Sequence, residues 1–231
     1  MELQLAYLLH SRPYRNTSLL ANFFTLEFGR VDAVVRGVRS EKSKIRHLLQ
    51  PFTPLLVSWV GKGELVTMTQ VESQSSIAGL TGDSILYGFY INELLMRLLR
   101  AHDPYEGLYH EYEALLLKFQ NKQTTEAALR MFEKCLLQEI GYGLELCYDC
   151  ESGDAVEPDQ WYQYVPDKGP SLIAANSAHK QKAFSGRNLL ALHHDELDTD
   201  DVLRDAKRLM RHAFARLLGD KPLKSRELFM R

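Results

Sequence analysis

Five cationic side chains lie within eleven residues near the N-terminus, in the segment RGVRSEKSKIR, beside a single carboxylate, Glu41. They are Arg36, Arg39, Lys42, Lys44 and Arg46. Arginine offers a planar fork of donors and lysine a mobile point charge, so together they can follow a phosphodiester backbone without reading its bases. The segment therefore predicts a phosphate-binding surface, with ordinary solvated surface charge as the alternative.

The rest of the chain makes this cluster stand out, because 28 Lys+Arg against 30 Asp+Glu leave the whole nearly neutral. Residues 1–80 carry 9 basic and 6 acidic side chains, residues 81–160 carry 6 and 15, and residues 161–231 carry 13 and 9. This distribution favours a polyanion as partner for the two ends of the chain and a different kind of partner for its middle.

A second group of cations recurs at spacings of three or four near the C-terminus, in a helix predicted over Asp200–Leu218. Its members are Arg204, Lys207, Arg208 and Arg211, and the same helix also carries Arg216. The opposite flank of the helix is apolar and is expected to face the core; it comprises Leu203, Leu209, Met210, Phe214 and Leu217. We expect no exposed Trp or Phe beside the cations, as a membrane anchor would require, so they predict a second DNA-binding surface, with a solvated helix face as the alternative.

Cys147 and Cys150 have the C-x₂-C spacing of half a zinc site, which needs four ligands in all. No cysteine follows them, and His179, His193 and His194 do not keep the usual spacing. We therefore expect no bound metal or other cofactor, and interpret the pair as the relic of a lost site. Three cysteines are too few for a secreted disulfide framework, so we expect a cytoplasmic protein.

Motifs for catalysis are absent from the sequence: it has no G-x-x-x-x-G-K-[ST] loop, no H-E-x-x-H and no G-x-S-x-G. This predicts a protein that is not an enzyme and does not hydrolyse ATP. A membrane segment is not expected either, since no apolar run approaches about 20 residues. The first residues, MELQLAYLLH, lack the basic start of a secretory signal.

The loop cations need a scaffold, and the residues around them have the short Val-, Leu- and Phe-rich runs of β-structure. We predict five strands, near Leu3–His10, Ser18–Thr25, Arg30–Gly37, Phe52–Val60 and Glu64–Val71. Five strands in about 70 residues suit an OB-fold barrel, which binds single-stranded nucleic acid. Aromatic side chains that stack on bases would strengthen such binding, but we expect most of those present to fill the interior: Tyr7, Tyr14, Phe23, Phe24, Phe28, Phe52 and Trp59.

Helical periodicity replaces the strand pattern after Val71. It predicts helices over Asp83–Ala101, Tyr105–Asn121 and Thr125–Ile140, the third capped by Thr124 or Thr125 and ended by Gly141 and Gly143. The prediction is thus an α+β protein, with an OB-fold domain over residues 1–79 and a helical-bundle domain over residues 80–231. An irregular insertion is expected in the second domain at about 142–185.

Seven short segments occur in the order and spacing of one known family. They are His10–Tyr14, Phe28–Val31, Arg36–Ser40, Leu49–Phe52, Tyr90–Leu94, Gly141–Gly143 and Lys221–Leu228. Together they resemble the RecO family of bacterial recombination mediators, and the resemblance covers nearly the whole chain. It implies an N-terminal OB-fold, a helical domain and a zinc-finger-like insertion that has lost cysteines, of which Cys147 and Cys150 would remain.

The resemblance also implies a function. Members of the family bind single- and double-stranded DNA, anneal complementary strands without ATP, bind RecR and the acidic tail of single-stranded-DNA-binding protein, and help to load RecA. The DNA surface would fall on the cations of the loop, and the tail site in the helical domain on Arg130, with Arg97 as a further candidate. An RNA-binding OB protein, a protein-interaction adaptor and a zinc-dependent enzyme are the alternatives from other classes of function.

Overall fold

The computed structural model describes residues 2–74, 80–121, 126–174 and 183–228. The chain forms two compact units, Met1–Thr124 with Lys221–Arg231, which we call the barrel unit, and Thr125–Asp220, which we call the helical unit. The predicted boundary after residue 79 divides the chain by element type. The compact units instead group the first two helices and the last segment of the chain with the barrel.

Five strands form the barrel: β1 (Gln4–Tyr14), β2 (Ser18–Thr25), β3 (Gly29–Val35), β4 (Pro54–Val60) and β5 (Leu65–Ser73). They close in the order β1-β2-β3-β5-β4, and β4 pairs with β1 to complete the ring. Only the β3–β5 pair is parallel. This is an OB-like barrel, as the sequence predicts. Strand β1 runs four residues past the predicted end at His10, so its hairpin with β2 extends to Tyr14.

Two apolar faces bury the barrel's aromatic residues. Phe23 and Trp59 lie in the barrel interior, as expected. Tyr7 and Phe24 are also buried, but they point outward and pack on Tyr109 and Tyr112, with ring centroids 5.1 Å apart for Tyr7 and Tyr112. Successive residues of a strand point to opposite faces, so a strand covered on both sides is apolar throughout and carries no alternation that would reveal its second partner.

Helices α1 (Asp83–Leu98), α2 (Glu106–Gln120) and α6 (Ser225–Leu228) belong to the barrel unit. The side chain of Asn92 joins α1 to the barrel: its Nδ2 donates to the carbonyls of Leu8 and Leu9, and its Oδ1 accepts from the hydroxyl of Tyr112. A buried amide satisfied on both sides fixes the helix against β1.

Gly29 occupies a position that no other residue fits. Its φ of +59° is in the left-handed region, and a Cβ there would lie 1.8 Å from the carbonyl oxygen of Asp103. The close approach allows the segment after α1 to pack against the start of β3, where Arg30 and Ala101 form an isolated bridge.

The helical unit contains α3 (Glu126–Glu139), β6 (Trp161–Val165), β7 (Gly169–Leu172), β8 (Phe184–Ser185), α4 (Gly186–His193) and α5 (Asp200–Leu218). The segment predicted to be irregular, 142–185, contains a small antiparallel sheet in the order β7-β6-β8, and the sequence did not predict α4. Strands of two to five residues are too short to give a periodic signal.

Gly141, with φ +84°, follows the end of α3 as expected, and Tyr142 N donates back to Leu137 O. The predicted caps Thr124 and Thr125 lie outside the described residues. In the ranges that the structure covers, no helix is both long enough and apolar enough to traverse a bilayer.

Candidate nucleic-acid interface

The loop between β3 and β4 carries the predicted cations and is tied to the barrel by its apolar residues. Val38 and Leu49 are buried in the barrel core, and Ile45 and Leu48 pack against it. Backbone hydrogen bonds form successive turns: Ser40 N donates to Gly37 O, and Ser43 N donates to Ser40 O. A loop anchored in this way presents its remaining side chains to solvent in a defined arrangement.

All five predicted cations of the loop are exposed. Among the residues that the structure describes, none of the five forms an ion pair with a carboxylate. Their charge is therefore not neutralised locally, and phosphate can approach them without displacing a carboxylate.

The tip of the β1–β2 hairpin adds cations that the sequence reasoning missed. Arg12 and Arg15 are both exposed. The tip adjoins the loop, because Arg39 N donates to Thr17 O at 2.8 Å and Arg39 Nη1 donates to Arg15 O at 3.1 Å. Extending the first predicted strand by four residues would have placed both arginines at a hairpin tip. We call the seven cations of loop and tip the barrel surface: Arg12, Arg15, Arg36, Arg39, Lys42, Lys44 and Arg46.

The predicted cations of α5 are in a different situation. Arg204 pairs with Asp201 at 2.8 Å, Lys207 with Glu126 at 2.7 Å, and Arg208 with Asp205 at 3.2 Å. Arg208 also lies over the ring of Phe184, 4.1 Å from its centroid. Arg211 is exposed. Three of the four positions therefore already have carboxylate partners, which lowers the helix's attraction for phosphate. On the opposite flank Leu209, Met210 and Phe214 are buried as predicted, while Leu203 and Leu217 are half-buried.

The two arginines predicted for an acidic tail already have partners within the protein, and Arg130 is also buried. Arg130 is 5 % exposed, and its Nη1 lies 2.9 Å from Oε2 of the fully buried Glu133. Arg97 donates to the carbonyls of Lys221 and Pro222, and these hydrogen bonds hold the last segment of the chain against α1. The prediction of an accessible cation at Arg130 does not fit this geometry. Nothing in the sequence pattern distinguishes a buried i, i+3 ion pair from an exposed one.

A groove in the helical unit combines apolar walls with one cation. Its volume is about 210 Å³, and its walls include Leu137, Tyr142, Leu144 and Tyr164. Burial, with a smaller effect of Glu145, raises the pKa of Tyr164 to about 12, so its hydroxyl is a neutral donor at physiological pH. Arg216 lies at the groove and forms an ion pair with Asp167.

The donor set around Cys147 and Cys150 does not fit zinc. In the described ranges no three His, Cys, Asp or Glu side chains cluster closely enough to hold a metal ion, and His179 lies outside these ranges. Burial, and then Glu145, raise the pKa of the Cys147 thiol above its ordinary value. A carboxylate organises the segment instead: Asp149 accepts from the backbone N–H groups of Glu151, Ser152 and Leu172.

A closed OB-like barrel with an anchored loop of unpaired cations defines a class of nucleic-acid-binding protein. Residues 1–77 match the family model described as Recombination protein O N terminal, and residues 80–227 match Recombination protein O C terminal. The chain belongs to the RecO family of DNA repair and recombination proteins.

Curated relatives agree with these matches over nearly their full lengths. DNA repair protein RecO of Coxiella burnetii (strain CbuG_Q212) is 45 % identical over 226 residues, covering 98 % of this chain and 96 % of the relative. The protein of the same name from Nitrosococcus oceani is 46 % identical over 226 residues, with 98 % and 92 % coverage. That of Cellvibrio japonicus is 43 % identical over 229 residues, with 99 % and 97 % coverage.

Proposed function

We propose that this protein is a non-enzymatic mediator of DNA recombination, which binds single- and double-stranded DNA and anneals complementary strands without ATP. The observation that carries the proposal is the barrel surface, where seven exposed cations lie on adjoining segments of an OB-like barrel. Cations that contact phosphates on two strands at once lower the repulsion between those strands. The absence of a nucleotide-binding loop from the sequence agrees with a reaction driven by base pairing alone.

The helical unit would bring the mediator to its substrate by binding the acidic, apolar C-terminal tail of single-stranded-DNA-binding protein. With Arg130 buried, we assign the tail to the groove at Arg216. Its apolar walls suit a hydrophobic tail residue, and a tail carboxylate would take the place of Asp167 beside the guanidinium. We propose RecR as a further partner. RecA would load indirectly, on the single strands that the mediator exposes. The protein would act in the cytoplasm, at the nucleoid.

Annealing of complementary oligonucleotides coated with single-stranded-DNA-binding protein, without ATP, tests this function. We expect annealing with the intact coat and little with a coat that lacks its acidic tail. Replacing Arg39, Lys42, Lys44 and Arg46 together with alanine should abolish annealing of coated and naked strands alike, because the phosphate contacts are lost. Failure of the unaltered protein to anneal either substrate would contradict the proposal and favour an adaptor.

Two variants of the groove separate tail docking from DNA binding. Arg216→Ala should reduce annealing of coated strands only. Asp167→Asn should strengthen tail binding, because it removes the carboxylate that competes for Arg216. Fluorescence anisotropy with a labelled tail peptide measures both effects. If neither variant changes peptide affinity, the tail does not bind in this groove, and the DNA-binding part of the proposal is unaffected.

A further inference from the structure

Seven aromatic side chains occur in residues 1–74, and most of them pack in the barrel interior or against the helices of the barrel unit. Five are at most 5 % exposed: Tyr7, Phe23, Phe24, Phe52 and Trp59. Phe28 is half-buried, and its ring packs edge-on against Trp59 with 5.3 Å between the ring centroids. Tyr14 is the remaining one. It is half-buried and lies at the end of β1, outside the barrel core.

The setting of Tyr14 is the tip of the β1–β2 hairpin, within the barrel surface. The guanidinium of Arg15 lies over its ring, 5.2 Å from the centroid. Arg15 has a φ of +48°, an uncommon conformation for a non-glycine residue, and its carbonyl accepts from Arg39. The same backbone that positions Arg15 beside the ring is therefore linked to the cationic loop.

A planar cation over an aromatic ring occupies the position that a nucleobase takes when it stacks. A base that replaces the guanidinium on the ring leaves Arg15 able to contact a neighbouring phosphate. Only an unpaired strand can offer such a base, because the bases of a duplex are already stacked on one another. The other cations of the barrel surface contact phosphates, which both kinds of DNA present.

We propose that Tyr14 and Arg15 form a base-stacking subsite, which makes the barrel surface bind single-stranded DNA more tightly than duplex DNA. The inference rests on the proposed function, since it assumes that the barrel surface binds DNA. It assigns discrimination between the two kinds of DNA to one ring and general affinity to the surrounding cations.

The test compares the affinity of the full-length protein for a labelled 20-nucleotide oligo(dT) and for a 20-base-pair duplex. Tyr14→Leu should weaken binding of the single strand about tenfold and leave duplex binding unchanged, because a stacked base is lost without any loss of charge. Tyr14→Phe keeps the ring and should retain single-strand affinity. Tyr148→Leu is the matched control, since Tyr148 is 56 % exposed but belongs to the helical unit.

Failure of the inference and failure of the proposed function give different results. If Tyr14→Leu weakens both DNAs equally or neither, the stacking subsite is refuted, whereas the function stands as long as the alanine variant of Arg39, Lys42, Lys44 and Arg46 loses both DNAs. If that variant keeps full affinity, the barrel surface is not a DNA site. Thermal unfolding of Tyr14→Leu, followed by circular dichroism, shows whether a loss of binding reflects a loss of folding.

Discussion

The barrel surface and the cations of α5 look alike in sequence but differ in what surrounds them. The loop that supplies five of the seven barrel-surface cations and the segment Arg204–Arg211 of α5 are each a short stretch with four or five Lys and Arg residues. The cations of the barrel loop have no carboxylate partner among the described residues, whereas Arg204, Lys207 and Arg208 each lie beside one. Clustered positive charge therefore indicates a phosphate-binding surface only where the fold leaves the charge unneutralised.

The largest expected effect, on stability, concerns Arg130. This cation is buried and paired with Glu133, in contrast to the exposed cations of the barrel surface. Glu133→Ala would leave Arg130 buried without its partner, so we expect a loss of about 3–5 kcal/mol in the free energy of unfolding. Urea denaturation measures it. Glu139→Ala, at an exposed position of the same helix, is the control and should change stability by less than about 0.5 kcal/mol. Equal effects of the two would mean that the Arg130–Glu133 pair is not the buried contact described.

Glu93 sharpens the comparison, because its charge lies in the barrel unit but is bound by hydrogen bonds from the protein itself. Its carboxylate accepts from Lys224 N, Ser225 N and Ser225 Oγ. Burial opposes ionisation, but these hydrogen bonds outweigh it and lower the pKa of Glu93 below its usual value. Glu93→Ala should cost about 1–3 kcal/mol of stability at pH 7 without changing DNA affinity.

The pH dependence of this loss follows from the lowered pKa. A carboxyl whose pKa is lower in the folded than in the unfolded protein stabilises the fold above the unfolded value, about 4.3, and this contribution is lost as the pH falls through the folded value. The stability difference between the unaltered protein and Glu93→Ala should therefore shrink as the pH is lowered below about 4. A difference that grows on acidification would contradict the assignment.

Removing the carboxylate partners of two α5 cations would break the comparison, with the smallest expected effect. Asp201→Asn with Glu126→Gln removes the partners of Arg204 and Lys207, so DNA affinity at low salt should rise a few-fold. Asp83→Asn with Glu111→Gln makes the same change in net charge at exposed positions of the barrel unit and serves as the control. If both pairs of substitutions raise the affinity equally, net charge alone is responsible, and local pairing has no role.

The strand pattern and charge of residues 1–74 were sufficient to predict the OB-like barrel and its exposed cationic loop. The hairpin tip at Arg12 and Arg15 was missed because Pro13 marks a strand end in sequence, although in the structure it lies near the end of β1. In the helical unit, ion pairs that neutralise cations join residues distant in sequence, such as Lys207 with Glu126 and Arg216 with Asp167. Periodicity cannot show which cation meets which carboxylate.

The salt dependence of binding to a single strand tests most directly whether unpaired cations define the DNA site. The slope of log affinity against log salt is negative, and each phosphate contact that is lost reduces its magnitude by about 0.7. Replacing Arg39, Lys42 and Lys44 with alanine should therefore reduce the magnitude of the slope by about 2, whereas the same treatment of Arg204, Lys207 and Arg211 should reduce it by at most about 0.7. An equal or larger change for the α5 variant would contradict the account.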